Sequence, residues 1–180
     1  MKLSKYNEPG PILIDANIFV YHLTGEQDYG AICSDFLKRV ELSEINGITS
    51  VLIIDEAIYG ILITEAANIL NITKISTIRN HLKNDRKLYK RCYQDVEIFL
   101  DYIDTLRDGG LKLIDSINYR IFRDILSGVQ AGISGLPHDL IHIKLCRDLK
   151  IDHIATQDSD FDNVPGLTAW KPLTSDLPAQ

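Results

Sequence analysis

The sequence predicts an α/β fold in three layers, with a largely parallel central sheet of four to five strands and helices on both faces. Three observations carry this. Short β-branched apolar runs recur along the chain, longer helical patterns separate them, and Gly or Pro punctuates the joins. Pro11-Ile-Leu-Ile-Asp15 is a buried strand following a Gly-Pro turn signal. Helical patterns follow at about Ala16–Leu23 and Tyr29–Leu42, before Asn46-Gly47 and a short strand at Ile48-Thr49. Ser50 has the chemistry to cap a long helix over Val51–Leu70, apolar nearly all round and so expected deep in the domain. A charged amphipathic stretch from Lys74 to Arg107 reads as a pair of helices ending at Gly109-Gly110. Leu111–Ile114 is a third strand, and helices at about Tyr119–Ala131 and Pro137–Leu149 flank the Gly135-Leu136-Pro137 breaker. Asp152–Thr156 is a fourth strand, and Leu167–Trp170 a short fifth.

At 180 residues and 45% hydrophobic, residues 1–180 fit a single domain with a real core. The most apolar window, Val51–Leu70, carries Asp55, Glu56 and Glu65, and the run Ile12–Val20 is interrupted by Asp15 and Asn17. Neither reads as a membrane span or a signal peptide, so no membrane partner and a cytoplasmic location are expected. Cys33, Cys92 and Cys146 lack any CxxC pairing and read as small buried apolar residues. The net charge of -6 argues against a nucleic-acid partner until its distribution is considered. Lys74, Arg79, Lys83, Arg86, Lys87, Lys90 and Arg91 stand against Asp85 alone, a local +6 that leaves -12 for the remainder. A solvated helical face is the usual meaning of such a run. The asymmetry suits phosphate steering by Lys83, Arg86, Lys87, Lys90 and Arg91 on an arm beside the acidic residues.

In open parallel sheets ligands sit outside the carboxyl ends of the strands, which selects among the acids. Asp15 follows the first strand, while Asp158 and Asp160 follow the fourth. Asp139 lies in the first turn of a helix, where the macrodipole favours a carboxylate. The apolar neighbours Ile12, Leu13, Ile14, Ile18 and Phe19 imply that Asp15 is buried, a state costing several kcal/mol for an unpaired ion. Glu56 has apolar helical neighbours too, and Asp55 an equally apolar setting, so burial leaves both open. The alternation Asp158-Ser-Asp160-Phe-Asp162 invites comparison with a calcium loop, but Asn163 and Ala169 stand where glycine and glutamate are needed. Asp162 reads as facing water. His138 and His142 are four apart and capable of sharing zinc, yet no third ligand of matching type is evident. Hard oxygen ligands select Mg2+ or Mn2+.

Four segments together resemble one family. Ile12-Leu-Ile-Asp-Ala-Asn17, Thr49-Ser-Val-Leu-Ile-Ile-Asp-Glu56, Leu136-Pro-His-Asp-Leu-Ile-His142 and Ile154-Ala-Thr-Gln-Asp-Ser-Asp-Phe161 resemble, in order, the acidic motifs of PIN-domain nucleases. The resemblance runs from about Pro11 to Leu167. It implies a PIN-like fold and a metal site of Asp15, Glu56, Asp139, Asp158 and Asp160, with Asn17 and Thr156 supporting the ligands. The spacing from Ser50 favours Glu56 over Asp55. It further implies a metal-dependent endoribonuclease, with the toxin of a toxin–antitoxin pair as one setting. Expected partners are an RNA substrate, an antitoxin protein and a second copy of the chain. Residues 71–110 form a charged helical insertion, longer than in the compact VapC-type toxins.

Such carboxylates hold divalent ions that lower the pKa of water and neutralise charge on the leaving oxygen of a phosphodiester. Crowded without metal, they are expected to repel one another. Two readings compete. A catalytically silent PIN-like binding module would have no reason to keep costly buried acids, and an aspartyl-phosphate phosphatase needs Asp-x-Asp where Asp15-Ala-Asn17 stands.

Overall fold

Ile12–Ile14 forms β1, buried at all three residues and paired with a strand along each edge. In the computed structural model, which describes residues 1–130 and 135–174, five parallel strands make one sheet. β2 is Gly47–Ser50, β3 Lys112–Ile114, β4 His153–Ala155 and β5 Thr168–Trp170, in the spatial order β3-β2-β1-β4-β5. The register places Leu13 beside Ile48 on one side and Ile154 on the other. The chain moves from β1 to β2 to β3 in one direction, then returns across the sheet to β4. Right-handed crossovers therefore send the helices before and after that return to opposite faces. The point of reversal lies beside β1 and β4, and there the carboxyl ends of the strands open a crevice.

The helices begin and end where local chemistry directs. Asp15 caps α1, Ala16–Thr24, which stops at Gly25 with φ 60°. α2 is Gly30–Glu41. Ser50 caps α3, Val51–Leu70, by accepting from the Ile53 N–H, and Asn71 ends it in the left-handed region at φ 53°. α4 is Ile75–Asn84, and Asp85 caps α5, Arg86–Asp108, through the Lys87 and Leu88 amides. α6 is Ile121–Gln130, so Ala131 at the end of the expected helix lies outside the described residues. Pro137 opens α7, Pro137–Leu149, where its missing N–H breaks no helical bond. No described helix is long and apolar enough to cross a membrane.

α3 is less enclosed than its composition suggests. Ile53, Ala57, Ile61 and Ala66 are buried, while Val51, Tyr59 and Ile69 are exposed. α1, α4 and α5 cover it from their sides and leave one flank open, with α1 close enough that a side chain at Gly60 would strike Val20 Cγ2 at 2.9 Å. The first half of α3 shares the main core with the last half of α5. Its second half packs with α4 and the first half of α5 around Ala66, Ile78, Leu88 and Cys92. α3 and α5 thus run antiparallel and carry α4 outward as an arm with its own small core. All three cysteines are buried and free.

Candidate active site

Asp15 stands at the end of β1, 7% exposed, and every side-chain bond to it has a definite origin. Its Oδ1 accepts from the Ala16 amide at 2.7 Å, and its Oδ2 accepts from Asn17 Nδ2 at 2.6 Å and the Thr156 hydroxyl at 2.5 Å. Asn17 is held in turn: Nδ2 also reaches Thr156 Oγ1 at 3.1 Å, and Oδ1 accepts from the Gln157 amide. Thr156 Oγ1 takes a further bond from the Asp158 amide at 2.9 Å. The segments after β1 and β4 are stitched together through two polar side chains. Burial pushes the Asp15 carboxyl above its ordinary value. The Thr156 hydroxyl, His142 and the Ala16 amide offset part of that rise, and the charge of Glu56 adds to it.

Glu56 is half-buried one and a half turns into α3, whereas its neighbour Asp55 is exposed. The structure therefore separates two residues that burial reasoning on the sequence leaves open. His138 Nδ1 lies 2.6 Å from Glu56 Oε1 and His142 Nε2 3.1 Å from Oε2. Burial pulls the Glu56 carboxyl up, but the hydrogen bonds and charges of these imidazoles outweigh it and hold the group below its ordinary range. The sequence pattern offers the two histidines no third partner, and Glu56 is that partner. Their spacing on α7 is legible in the sequence, but the carboxylate they face lies 86 positions from His142.

Asp139, in the first turn of α7, accepts from the Leu136 amide at 2.8 Å. Its carboxyl is raised by burial, with the charges of Asp158 and Asp160 adding and the Leu136 amide offsetting. Asp158 caps the short 3-10 turn Ser159–Phe161 through the Asp160 amide. Asp15, Glu56, Asp139 and Asp158 all line one cleft of about 510 Å³ together with Asn17, His138 and Phe161. Asp160 is exposed and outside this lining, although its charge reaches Asp139. Asp162 faces water and pairs with Lys171 at 2.8 Å. Lys171 also donates to the Asp158 carbonyl at 2.6 Å, so a lysine that carries no motif holds the last acidic loop.

Among the described residues, Asp15, Glu56 and His142 each present a donor atom within 4.8 Å of the other two, a set that fits a metal ion. Asp139 and Asp158 face the same cleft from its rim. None of Lys83, Arg86, Lys87, Lys90 and Arg91 lines it. Lys90 and Arg91 border a separate groove of about 510 Å³ on α5 with Tyr89, Tyr93, Gln94 and Glu97.

Comparison with known proteins agrees with this geometry. The PIN domain model matches residues 12–167. The chain is 24% identical over 159 residues to Ribonuclease VapC2 of Methanocaldococcus jannaschii, covering 87% of this chain and 91% of that protein. Its fold is similar to the crystal structure of VapBC2 from Rickettsia felis bound to a DNA fragment from their promoter, with a TM-score of 0.54 at 15% identity, over 90% of this chain and 98% of that one. With its five parallel strands, its acids gathered at their carboxyl ends and a family match over most of its length, the chain belongs to the PIN domain family.

Proposed function

We propose that this chain is a divalent-metal-dependent endoribonuclease whose cleft holds Mg2+ or Mn2+ through Asp15 and Glu56, with Asp139 and Asp158 contributing from the rim and Asp160 acting through its charge from outside the lining. The observation that carries the reading is the convergence of four acids, from separate segments of the chain, on one cleft at the carboxyl ends of the strands. A bound divalent cation would supply Lewis-acid polarisation of a phosphodiester and a water of lowered pKa. The chain's own residues hold and orient: Asn17 and Thr156 fix the Asp15 carboxylate, and the Leu136 amide fixes one oxygen of Asp139. No protein nucleophile is required.

A relative named as a ribonuclease supports RNA as the substrate. The basic island supports it from the electrostatic side, with Lys83, Arg86, Lys87, Lys90 and Arg91 steering the RNA backbone from the arm. Tyr89 and Tyr93 stack at 5.6 Å on that surface and are partly exposed. The solved complex named VapBC2 supports a toxin role with an antitoxin partner, and a second copy of the chain is a further expected partner. The deciding experiment is cleavage of a mixed RNA pool by the metal-free protein, with and without added Mn2+ or Mg2+, beside Asp15→Asn. Metal-dependent cleavage lost in the variant is the expected result. Metal uptake without hydrolysis would instead identify a silent binding module.

A further inference from the structure

Glu56 reaches the cleft from α3, yet α7 grips it. We infer that His142, together with His138, is a positioning residue: a two-point imidazole clamp that sets the Glu56 carboxylate before any cation arrives, without itself ligating the metal. The inference rests on the proposed metal-binding role of Glu56. Each carboxylate oxygen meets its own ring nitrogen, His138 Nδ1 at Oε1 and His142 Nε2 at Oε2. The two rings are four residues apart on one helix, hence on one face, and they approach the carboxylate as a pair. Every carboxylate oxygen has two lone pairs, so each keeps one for a cation.

The tautomer of His142 decides between clamp and ligand. The ring is 1% exposed, and its Nδ1 is buried with no hydrogen-bond partner among the described residues. A neutral imidazole carries one N–H. Placed on Nε2, the proton serves Glu56 and leaves only a bare lone pair at Nδ1. Were Nε2 to bind the cation, the proton would move to Nδ1 and face no acceptor among the described residues. A buried unpaired N–H is costly, and metal-binding imidazoles nearly always donate their other N–H to a partner. Proximity alone groups His142 with Asp15 and Glu56 as a donor set. Its hydrogen bonding assigns it to the carboxylate.

The test measures Mn2+ binding to the metal-free full chain, without RNA, by electron paramagnetic resonance titration, with pulsed detection of nitrogen coupled to the ion. His142→Gln retains an N–H donor near the Nε2 position and should bind Mn2+ within about threefold of the parent. His142→Leu keeps the bulk and loses the donor, and should weaken binding by about 10–100-fold, the range seen when supports of metal ligands are removed. His138→Ala, at a position open to solvent, should fold normally and weaken binding by less than about tenfold. The parent should show no nitrogen bound directly to Mn2+. A directly bound nitrogen that disappears in His142→Gln would make His142 a ligand and overturn the clamp. Unchanged Mn2+ affinity in both His142→Leu and His138→Ala, with only melting temperature altered, would overturn it as mere packing. Asp15→Asn separates this from the underlying reading: if that variant also binds Mn2+ normally, the metal site itself is misplaced and the clamp falls with it.

Discussion

The two charged regions of this molecule are built on opposite plans. In the cleft, Asp15 is buried and accepts three hydrogen bonds, and Glu56 is gripped from a second element. On the arm, Lys83, Arg86, Lys87, Lys90 and Arg91 are exposed, and the support beneath them is a satellite core around Ile78, Leu88 and Cys92. Charge that must act at fixed geometry is held by other side chains. Charge that acts at a distance needs only a helix to stand on, because steering falls off over a Debye length of roughly 8–10 Å and tolerates loose placement.

If that division is right, damage to the cleft should remove chemistry, and damage to the arm should change RNA binding or stability while sparing the metal site. The largest effect belongs to Asp15→Asn, which should reduce RNA cleavage to the level of the metal-free control while circular dichroism stays that of the parent. Glu56→Gln should follow it, whereas Asp55→Asn should keep near-parent cleavage, since the two positions are about 100° apart on the helix and Asp55 faces solvent. The opposite ranking in a cleavage assay would break the site as drawn. Ile78→Ala should cost about 2–4 kcal/mol in denaturant unfolding, as for other large-to-small changes in a packed core, and leave Mn2+ affinity alone.

Weaker effects sharpen the comparison. Changing Lys83, Arg86, Lys87, Lys90 and Arg91 together to glutamine should flatten the salt dependence of RNA binding by roughly 0.7 in log-log slope for each phosphate no longer neutralised. An unaltered slope would assign the arm to a protein partner or to plain solubility. The smallest effect is Asp139→Asn, which should raise the metal-free melting temperature by about 2 °C, a modest gain because the position is partly solvated. A carboxyl raised in the folded state contributes stability that is present below the ordinary aspartate pKa and lost as pH rises above it. The gain should therefore be seen near neutral pH and vanish near about pH 4.

Much of the frame is legible in the sequence because it depends on local chemistry. Ser50, Pro137 and Gly109-Gly110 announce helix ends, and the apolar run Pro11–Asp15 and the short run Ile48-Thr49 announce strands, whereas the Asp85 cap of α5 emerges only in the structure. The family resemblance places Asn17 and Thr156 beside Asp15, and their hydrogen bonds fit that role. The part that stays hidden is tertiary. Lys171 carries no motif, the spaced pair His138 and His142 shows no partner in the sequence, and each meets its partner only when distant elements close. The crowding expected of bare acids shows in the charges that add to burial in pushing Asp15 and Asp139 up, while the imidazoles hold Glu56 down against its own burial. The enclosed setting expected for α3 fails for a related reason: an apolar composition does not say how many neighbours a helix will find.

The antiparallel run of α3 against α5 also works as a ruler. Fourteen residues separate Glu56 from Leu70 along α3, about 21 Å of helix axis, and the basic residues begin beyond that end. An oligonucleotide shorter than that span cannot touch the cleft and the arm together. A longer strand can bridge both, and its second foothold then raises the local concentration of the scissile bond. If the cleft and the arm act on RNA as proposed, length is discriminated before sequence, and arm variants should matter only for substrates long enough to reach both.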